Sequence, residues 1–305
     1  MLNKGIMYSL GAYLIWGFFP ILFKSVSSVP ALQILAHRFV WCFVVVALLL
    51  LWRREMAALK SAVNRRALII YAIAGVLLTI NWGTYVWAVN TGHVIESSFG
   101  YFINPLVNVL LGTLFLREKL RPLQWLPVGL AAAAVLYLTV SFGQLPWIAL
   151  VLAFSFGLYG LVKKLAPLGP LQGLALETTA ILVPAAAYLL IMESAGTGAF
   201  GHGSPVTSLL LIFAGVATCI PLLLFSAGAQ TTPLSIMGLL QYVSPTMQFL
   251  IGILIYREPF TRERLIGFII IWIALIIFTF EGFSTWRRSI GPAAAGAEEA
   301  IVKPI

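Results

Sequence analysis

"INPLVNVLLGTLFLREKL" spans residues 103–120, and "VSPTMQFLIGILIYREPF" spans residues 243–260. The two phrases share their landmarks: Pro105 with Pro245, Gly112 with Gly252, and Arg117-Glu118 with Arg257-Glu258, each pair 140 positions apart. The correspondence reaches outward from them. "WGFFPILFK" (16–24) aligns with "FGLYGLVKK" (156–164) at the same offset, pairing Gly17 with Gly157, Phe19 with Tyr159 and Lys24 with Lys164. "LQILAHR" (32–38) aligns with "LQGLALE" (171–177) after a one-residue gap, and Thr91 aligns with Thr231. Each match alone carries little in so apolar a chain. Their constant order and near-constant spacing identify an internal duplication.

The chain has 305 residues, 61% hydrophobic and 10% charged, with a mean hydropathy of +0.99. No water-soluble core needs that much apolar surface, so lipid is the expected solvent. Ten apolar runs are long enough to cross a hydrocarbon core of about 30 Å: 4–23, 31–52, 67–90, 94–116, 123–142, 146–163, 170–192, 206–228, 233–256 and 265–283. Barrel strands alternate and are about half as long, so the spans are read as helices. The expected fold is an all-α integral membrane protein of ten transmembrane helices. Residues 4–23 are not read as a cleaved signal peptide, because they have a counterpart in the second half. Cys42 and Cys219 both fall in spans and imply no disulfide framework.

Five spans per copy is an odd number, so the second copy starts on the opposite side of the membrane. The expected organisation is two inverted-topology five-helix repeats, 1–143 and 144–283, followed by a loose cytoplasmic tail, 284–305. The formal charge of +9 does not point to nucleic acid, because the basic residues stand at span ends. With the N-terminus inside, fourteen Lys and Arg fall on the cytoplasmic side, among them Arg53, Arg54, Lys60, Arg65, Arg66, Lys163 and Lys164. Four fall outside: Lys24, Arg257, Arg262 and Arg264. Both termini are therefore expected in the cytoplasm. Arg257-Glu258 outside is the inverted copy of Arg117-Glu118.

Two halves that each carry a fourth span of the form P…G…(L/I)xxRE resemble the EamA family of the drug/metabolite transporter superfamily. The stretch "AVNTGHVIESSFGYFINPLVNVLLGTLFLREKLRPLQW" (88–125) is similar to the RarD branch of that family. The resemblance covers residues 4 to about 283 and implies a ten-helix carrier of the plasma (inner) membrane. It supplies no substrate.

Paired Gly/Pro breaks in corresponding spans are the sequence pointer to a transporter site. A proline lacks its own N–H and disturbs the carbonyl four residues earlier, here that of Tyr101 for Pro105 and Gln241 for Pro245. Tyr101, Asn104 and Asn108 lie on one helical face, and Gln241, Ser244 and Gln248 repeat the spacing. The stripes are expected to line a central substrate cavity rather than only to bond neighbouring helices. Trp16 and Tyr159 beside Gly17 and Gly157, and Asn81, Trp82 and Tyr85 in the third span, are further candidates. Their aromatic faces suit a flat or amphipathic substrate, or a cation. Gly17, Pro105, Gly157, Pro221 and Pro245 are the candidate hinges. Pro221 stands 140 positions after Asn81.

Charges inside spans are costly and read as functional. Arg38 and Glu96 fall at similar depth and are expected to pair, whereas Glu177, the counterpart of Arg38, falls in the inner half. Histidine's unperturbed titration lies near neutral pH, which makes His37, with Arg38, Glu96 and Glu177, a candidate for coupling to protons; a hydrogen-bonded structural imidazole is the alternative for His37. The chain has no phosphate-binding G-x-x-x-x-G-K-[ST] loop, no H-E-x-x-H and no G-x-S-x-G. His37, His93 and His202 lack metal-ligand spacing. No cofactor and no metal are expected. The expected partners are the lipid bilayer and a small-molecule substrate, with no nucleic acid. The function expected is secondary transport of small organic metabolites or drugs by alternating access, as an exporter. Facilitative exchange or import is the alternative, and a membrane-embedded enzyme is disfavoured.

Overall fold

The computed structural model describes residues 4–90, 94–142 and 147–257, and helical residues at 262, 265–266, 269–270, 272–274, 276–278 and 280–281. Among the described residues every regular element is helical, as lipid demands of a chain that must satisfy its own backbone. The helices are α1 (Lys4–Gly17), α2 (Phe19–Ser25), α3 (Ala31–Trp52), α4 (Met56–Ala62), α5 (Arg65–Asn90) and α6 (Val94–Leu114). A 3-10 turn, Pro122–Gln124, leads into α7 (Trp125–Phe142). The remainder are α8 (Trp147–Leu165), α9 (Pro170–Ser194), α10 (Pro205–Thr231), α11 (Leu234–Gln241) and α12 (Val243–Leu254). Counting α1 with α2 as one, six described helices are long and apolar enough to cross a membrane. Shorter apolar helices cover Gly100–Leu114 and Pro122–Tyr137.

Local chemistry sets the boundaries. Pro170 and Pro205 open α9 and α10, where the missing N–H costs nothing. Ser204 accepts from the Val206 N–H at 3.2 Å and caps α10. The Lys164 ammonium donates to the Thr232 carbonyl at 2.6 Å and to that of Ala229 at 3.2 Å, closing the other end of α10. Gln33 donates to the Thr197 carbonyl at 2.8 Å and accepts from the Ala199 N–H at 2.9 Å, which pins the α9–α10 connection.

The expected spans 4–23 and 233–256 are each interrupted. The first breaks at Phe18, between α1 and α2, and the second at Tyr242, between α11 and α12. By contrast α6 runs unbroken through Pro105, and α10 through Pro221. Residues 56–62, expected as connection, form the short helix α4.

The described residues within 1–118 and 144–260 form one compact unit, and those within 119–143 and 261–281 form another. In the first, the two halves of the sequence interleave: α1 packs on α10 and α12, and α8 packs on α5 and α6. Likewise α3 packs on α10 and α5 on α9, while α3 meets α9 and α6 meets α11. Close approaches repeat with the halves exchanged. A Cβ on Gly17 would lie 2.8 Å from Met247, and one on Gly157 would lie 2.6 Å from Val107. Each position in the second pair is 140 from one in the first. The core of this unit holds Tyr13, Tyr159, Phe225, Leu78 and the free thiols Cys42 and Cys219. Its outer face is apolar, with Leu48 and Leu51 on α3, Val183 and Leu190 on α9, and Leu209 and Phe213 on α10 all exposed, the pattern of a lipid-facing surface. In the other unit Arg121 pairs with the buried Glu281 at 3.1 Å, and Gln124 donates to the same carboxylate at 3.3 Å.

Candidate functional site

A cavity of about 170 Å³ lies inside the larger unit. One wall comes from α1 and α2, with Tyr13, Trp16, Phe19 and Phe23; α3 contributes Arg38, and α5 contributes Asn81, Trp82 and Tyr85. The facing wall is Tyr101 and Asn104 of α6, Phe156 of α8, and Gln241, Ser244, Pro245 and Gln248 of α11 and α12. Several lining residues are counterparts 140 positions apart: Trp16 and Phe156, Tyr101 and Gln241, Asn104 and Ser244. The Trp16 and Phe156 rings are in edge contact, centroids 5.6 Å apart. Nearby, Tyr242 donates its hydroxyl to the carbonyl of its own counterpart, Phe102, at 3.1 Å.

The amides of the wall are held from behind. Asn104 donates to the Ala153 carbonyl at 2.7 Å. Asn81 donates to the Leu152 carbonyl at 2.8 Å and to the Ser155 hydroxyl at 3.0 Å. Asn108 is fully buried and does not line the cavity. It donates to the Gln241 amide oxygen at 2.9 Å and to that of Asn104 at 3.3 Å, and so joins α6 to α11. The close contact has a cause in Gly238, where a Cβ would lie 2.6 Å from the Pro105 carbonyl oxygen and 2.8 Å from Asn108.

The interruption between α1 and α2 serves the same wall. Pro20 has no N–H to give the Trp16 carbonyl. Gln248 supplies the donor from α12 at 3.1 Å. Its amide also contacts the Ser244 hydroxyl at 3.3 Å. Gly17 gives α12 room to come this close.

Arg38 is the charged side chain among the described lining residues, and it is 6% exposed. Its Nε donates to Thr218 at 2.9 Å. The Trp82 ring covers the guanidinium at 4.1 Å, with Phe23 and Phe19 at 5.2 and 5.5 Å. The expected partner, Glu96, has its side chain outside the described residues. His37 is buried against the Phe200 ring, centroids 5.3 Å apart, away from the cavity lining.

Glu177 and Tyr159 form a second buried polar group, outside the cavity. The Glu177 carboxylate pairs with Lys163 at 2.5 Å and accepts from the Tyr159 hydroxyl at 3.2 Å. Lys163, placed by the charge count at a cytoplasmic span end, is 1% exposed inside α8. Phe19, Phe23 and Arg38 are the positions that correspond to Tyr159, Lys163 and Glu177. One half holds a buried cation on aromatic rings; the other holds a buried anion on a lysine and a phenol. Gly157 stands behind the wall, against Val107, and Pro221 is buried in α10.

Sequence reasoning missed Tyr13, Phe19, Phe23 and Phe156 as lining residues. The signal was present. Tyr13, Trp16, Pro20 and Phe23 recur at helical spacing and all line the cavity, and Phe156 is the counterpart of Trp16.

Residues 3–140 match the model described as the EamA-like transporter family. Protein RarD of Streptomyces exfoliatus is 43% identical over 99% of this chain and 96% of its own length. Protein RarD of Escherichia coli is 42% identical over 94% of this chain and 97% of its own. The chloramphenicol-sensitive protein RarD of Pseudomonas aeruginosa is 30% identical over 94% and 97%. A solved crystal structure, 16% identical, superposes with a TM-score of 0.71 over 92% of this chain and 99% of that one. That last likeness concerns the fold alone.

Proposed function

The chain belongs to the EamA-like transporter family, and from that premise we propose that it is a secondary transporter that exports small organic molecules across the plasma membrane by alternating access. The observation that carries the reading is the meeting of counterparts from both copies of the duplicated sequence at one cavity. Trp16 with Phe156, Tyr101 with Gln241 and Asn104 with Ser244 supply an aromatic and amide lining of the kind that orients a small ligand.

The organisation proposed is ten transmembrane helices in two inverted five-helix repeats, 1–143 and 144–283, with both termini and the tail 284–305 in the cytoplasm. Exchanged contacts at a constant offset support it: Gly17 with Met247 answers Val107 with Gly157. In such an arrangement, exchanging the conformations of the two repeats turns the cavity from one side of the membrane to the other. Asn81, Trp82, Tyr85, Tyr101, Asn104, Gln241, Ser244 and Gln248 are proposed to contact substrate, with Trp16. Asn108 is proposed to position Asn104 and Gln241. Buried ionisable side chains at His37, Arg38 and Glu177, with Glu96 on α6, make protons the candidate coupling ion.

The test is counterflow in proteoliposomes against a panel of metabolites and drugs, with and without a proton gradient. The panel includes chloramphenicol, which one relative carries in its name. Saturable exchange of at least one compound, lost on substitution of Gln241 and Ser244 together, is expected. Exchange that survives that substitution contradicts the site.

A further inference from the structure

We propose that the cavity takes a one-ring organic carboxylate, its anionic group paired with Arg38 and its apolar body held by the aromatic walls. This rests on the transport-site reading above and narrows it to a substrate class. A guanidinium stays charged at every accessible pH. Burying it without an anion is expensive, because the aromatic faces and a hydroxyl replace only part of its hydration. Arg38 is nine-tenths buried and lines the cavity all the same.

Its surroundings fix how it is used. Thr218 takes the Nε donor, and Trp82 stacks on the guanidinium at 4.1 Å. Among the described residues no acceptor lies on the two terminal nitrogens. They form the fork that matches a carboxylate bidentately. The rest of the described lining is neutral: aromatic rings, and amides already held by Leu152, Ala153 and Trp16 carbonyls. A net charge of one on the described lining calls for a single opposite charge. A cationic substrate, which the aromatic faces alone would suit, is repelled. Size sets the body, since a cavity of about 150 Å³ holds benzene, and this one is about 170 Å³.

The test uses purified full-length protein and matched probes: benzoate, phenylacetate and nicotinate against benzamide, phenylacetamide and nicotinamide, with benzylamine as the cation. Ligand-dependent thermal stabilisation reads binding. At least one acid is expected to bind about ten- to hundredfold more tightly than its amide, the factor of a hydrogen bond to a charged group. Arg38→Gln should erase the difference while leaving amide binding in place. Glu96→Gln should keep it. Equal binding of acid and amide, tighter binding of benzylamine, or no saturable shift with any of the three acids overturns the proposal. So does a preference that first appears in Glu96→Gln, because Arg38 would then be neutralised within the protein. Counterflow of the bound acid separates this from the transport reading. An acid that binds with the stated preference and is not exchanged sustains the substrate class and counts against transport. Exchange of the amides without the acids overturns the class and sustains transport.

Discussion

Lys163 and Glu177 are each 1% exposed and 2.5 Å apart. In hydrocarbon neither is stable alone, because removing one leaves an uncompensated buried charge. Lys163→Met and Glu177→Gln are each expected to destabilise the protein by about 3–5 kcal/mol. The double variant Lys163→Met/Glu177→Gln should cost clearly less than the sum, and thermal unfolding in detergent measures both. A sum equal to the singles would mean that the pair does not act as a unit. The amides divide by what they hold. Asn104→Leu takes a second donor from the Ala153 carbonyl and strands one donor of Asn108, so it should lower stability by about 1–3 kcal/mol as well as weaken binding. Gln248→Leu strands the Trp16 carbonyl in the same way. Thermal shift without ligand separates the two effects. The stripe Tyr101, Asn104, Asn108 was legible from spacing, and two of its three members reach the cavity. The third does not, because Gly238 lets α11 close over that end of the face. Spacing along one helix carries no information about which neighbour covers it. The same limit hid the partner of Glu177, since Lys163 looked like a residue at a span end.

The repeated phrase does distinct work in each element. Arg117 and Arg257 both take left-handed backbone, with φ of 53° and 52°, and each stands just past the end of its helix. Glu118 then turns back and accepts from the Leu234 and Ser235 N–H groups at 2.7 and 2.9 Å, capping α11. Gly112 leaves room for that carboxylate, since a Cβ there would lie 2.6 Å from it. The Arg-Glu pair read from sequence as a charged span end is thus a helix stop followed by a cap for a helix of the other half. The prolines behaved less evenly than a matched pair suggests. The chain parts at Tyr242 ahead of Pro245, yet stays helical through Pro105, where α11 packs against the carbonyl. Pro20, which the sequence reading passed over, interrupts the first span because Gln248 is there to satisfy the carbonyl it frees. Whether a proline opens a helix depends on what is available to replace the lost hydrogen bond, and that is tertiary information. The small-residue contacts give an element-level prediction. Gly17→Ala should push against the Met247 Cβ, and Gly157→Ala against Val107, whose branched side chain has little freedom to turn away. Each should cost about 1–3 kcal/mol. Gly83→Ala meets nothing within 4 Å on α5 and should be neutral or stabilising by up to ~1 kcal/mol. Equal effects at all three positions in thermal unfolding would mean that α1–α12 and α8–α6 are not close-packed.

At the scale of the whole molecule, the helical class and the membrane setting were legible in composition and span length, because lipid leaves a chain so few options. The interleaving of the halves was not, because an offset records ancestry and says nothing of which helix packs on which. Topology is open to direct measurement. Lys60→Cys, with Cys42 and Cys219 replaced, should react with an impermeant maleimide only from the cytoplasmic side. Labelling from outside would reverse the proposed orientation and the depth assigned to Arg38. The central claim is that the cavity between the two copies opens in turn to either side of the membrane. Ser244 is buried in its wall, 7% exposed, and lies beside the Tyr242 interruption. Ser244→Cys in the same background, in sealed right-side-out and inside-out vesicles, should be labelled by the impermeant maleimide from both sides. Labelling confined to one side would contradict alternating access at this cavity.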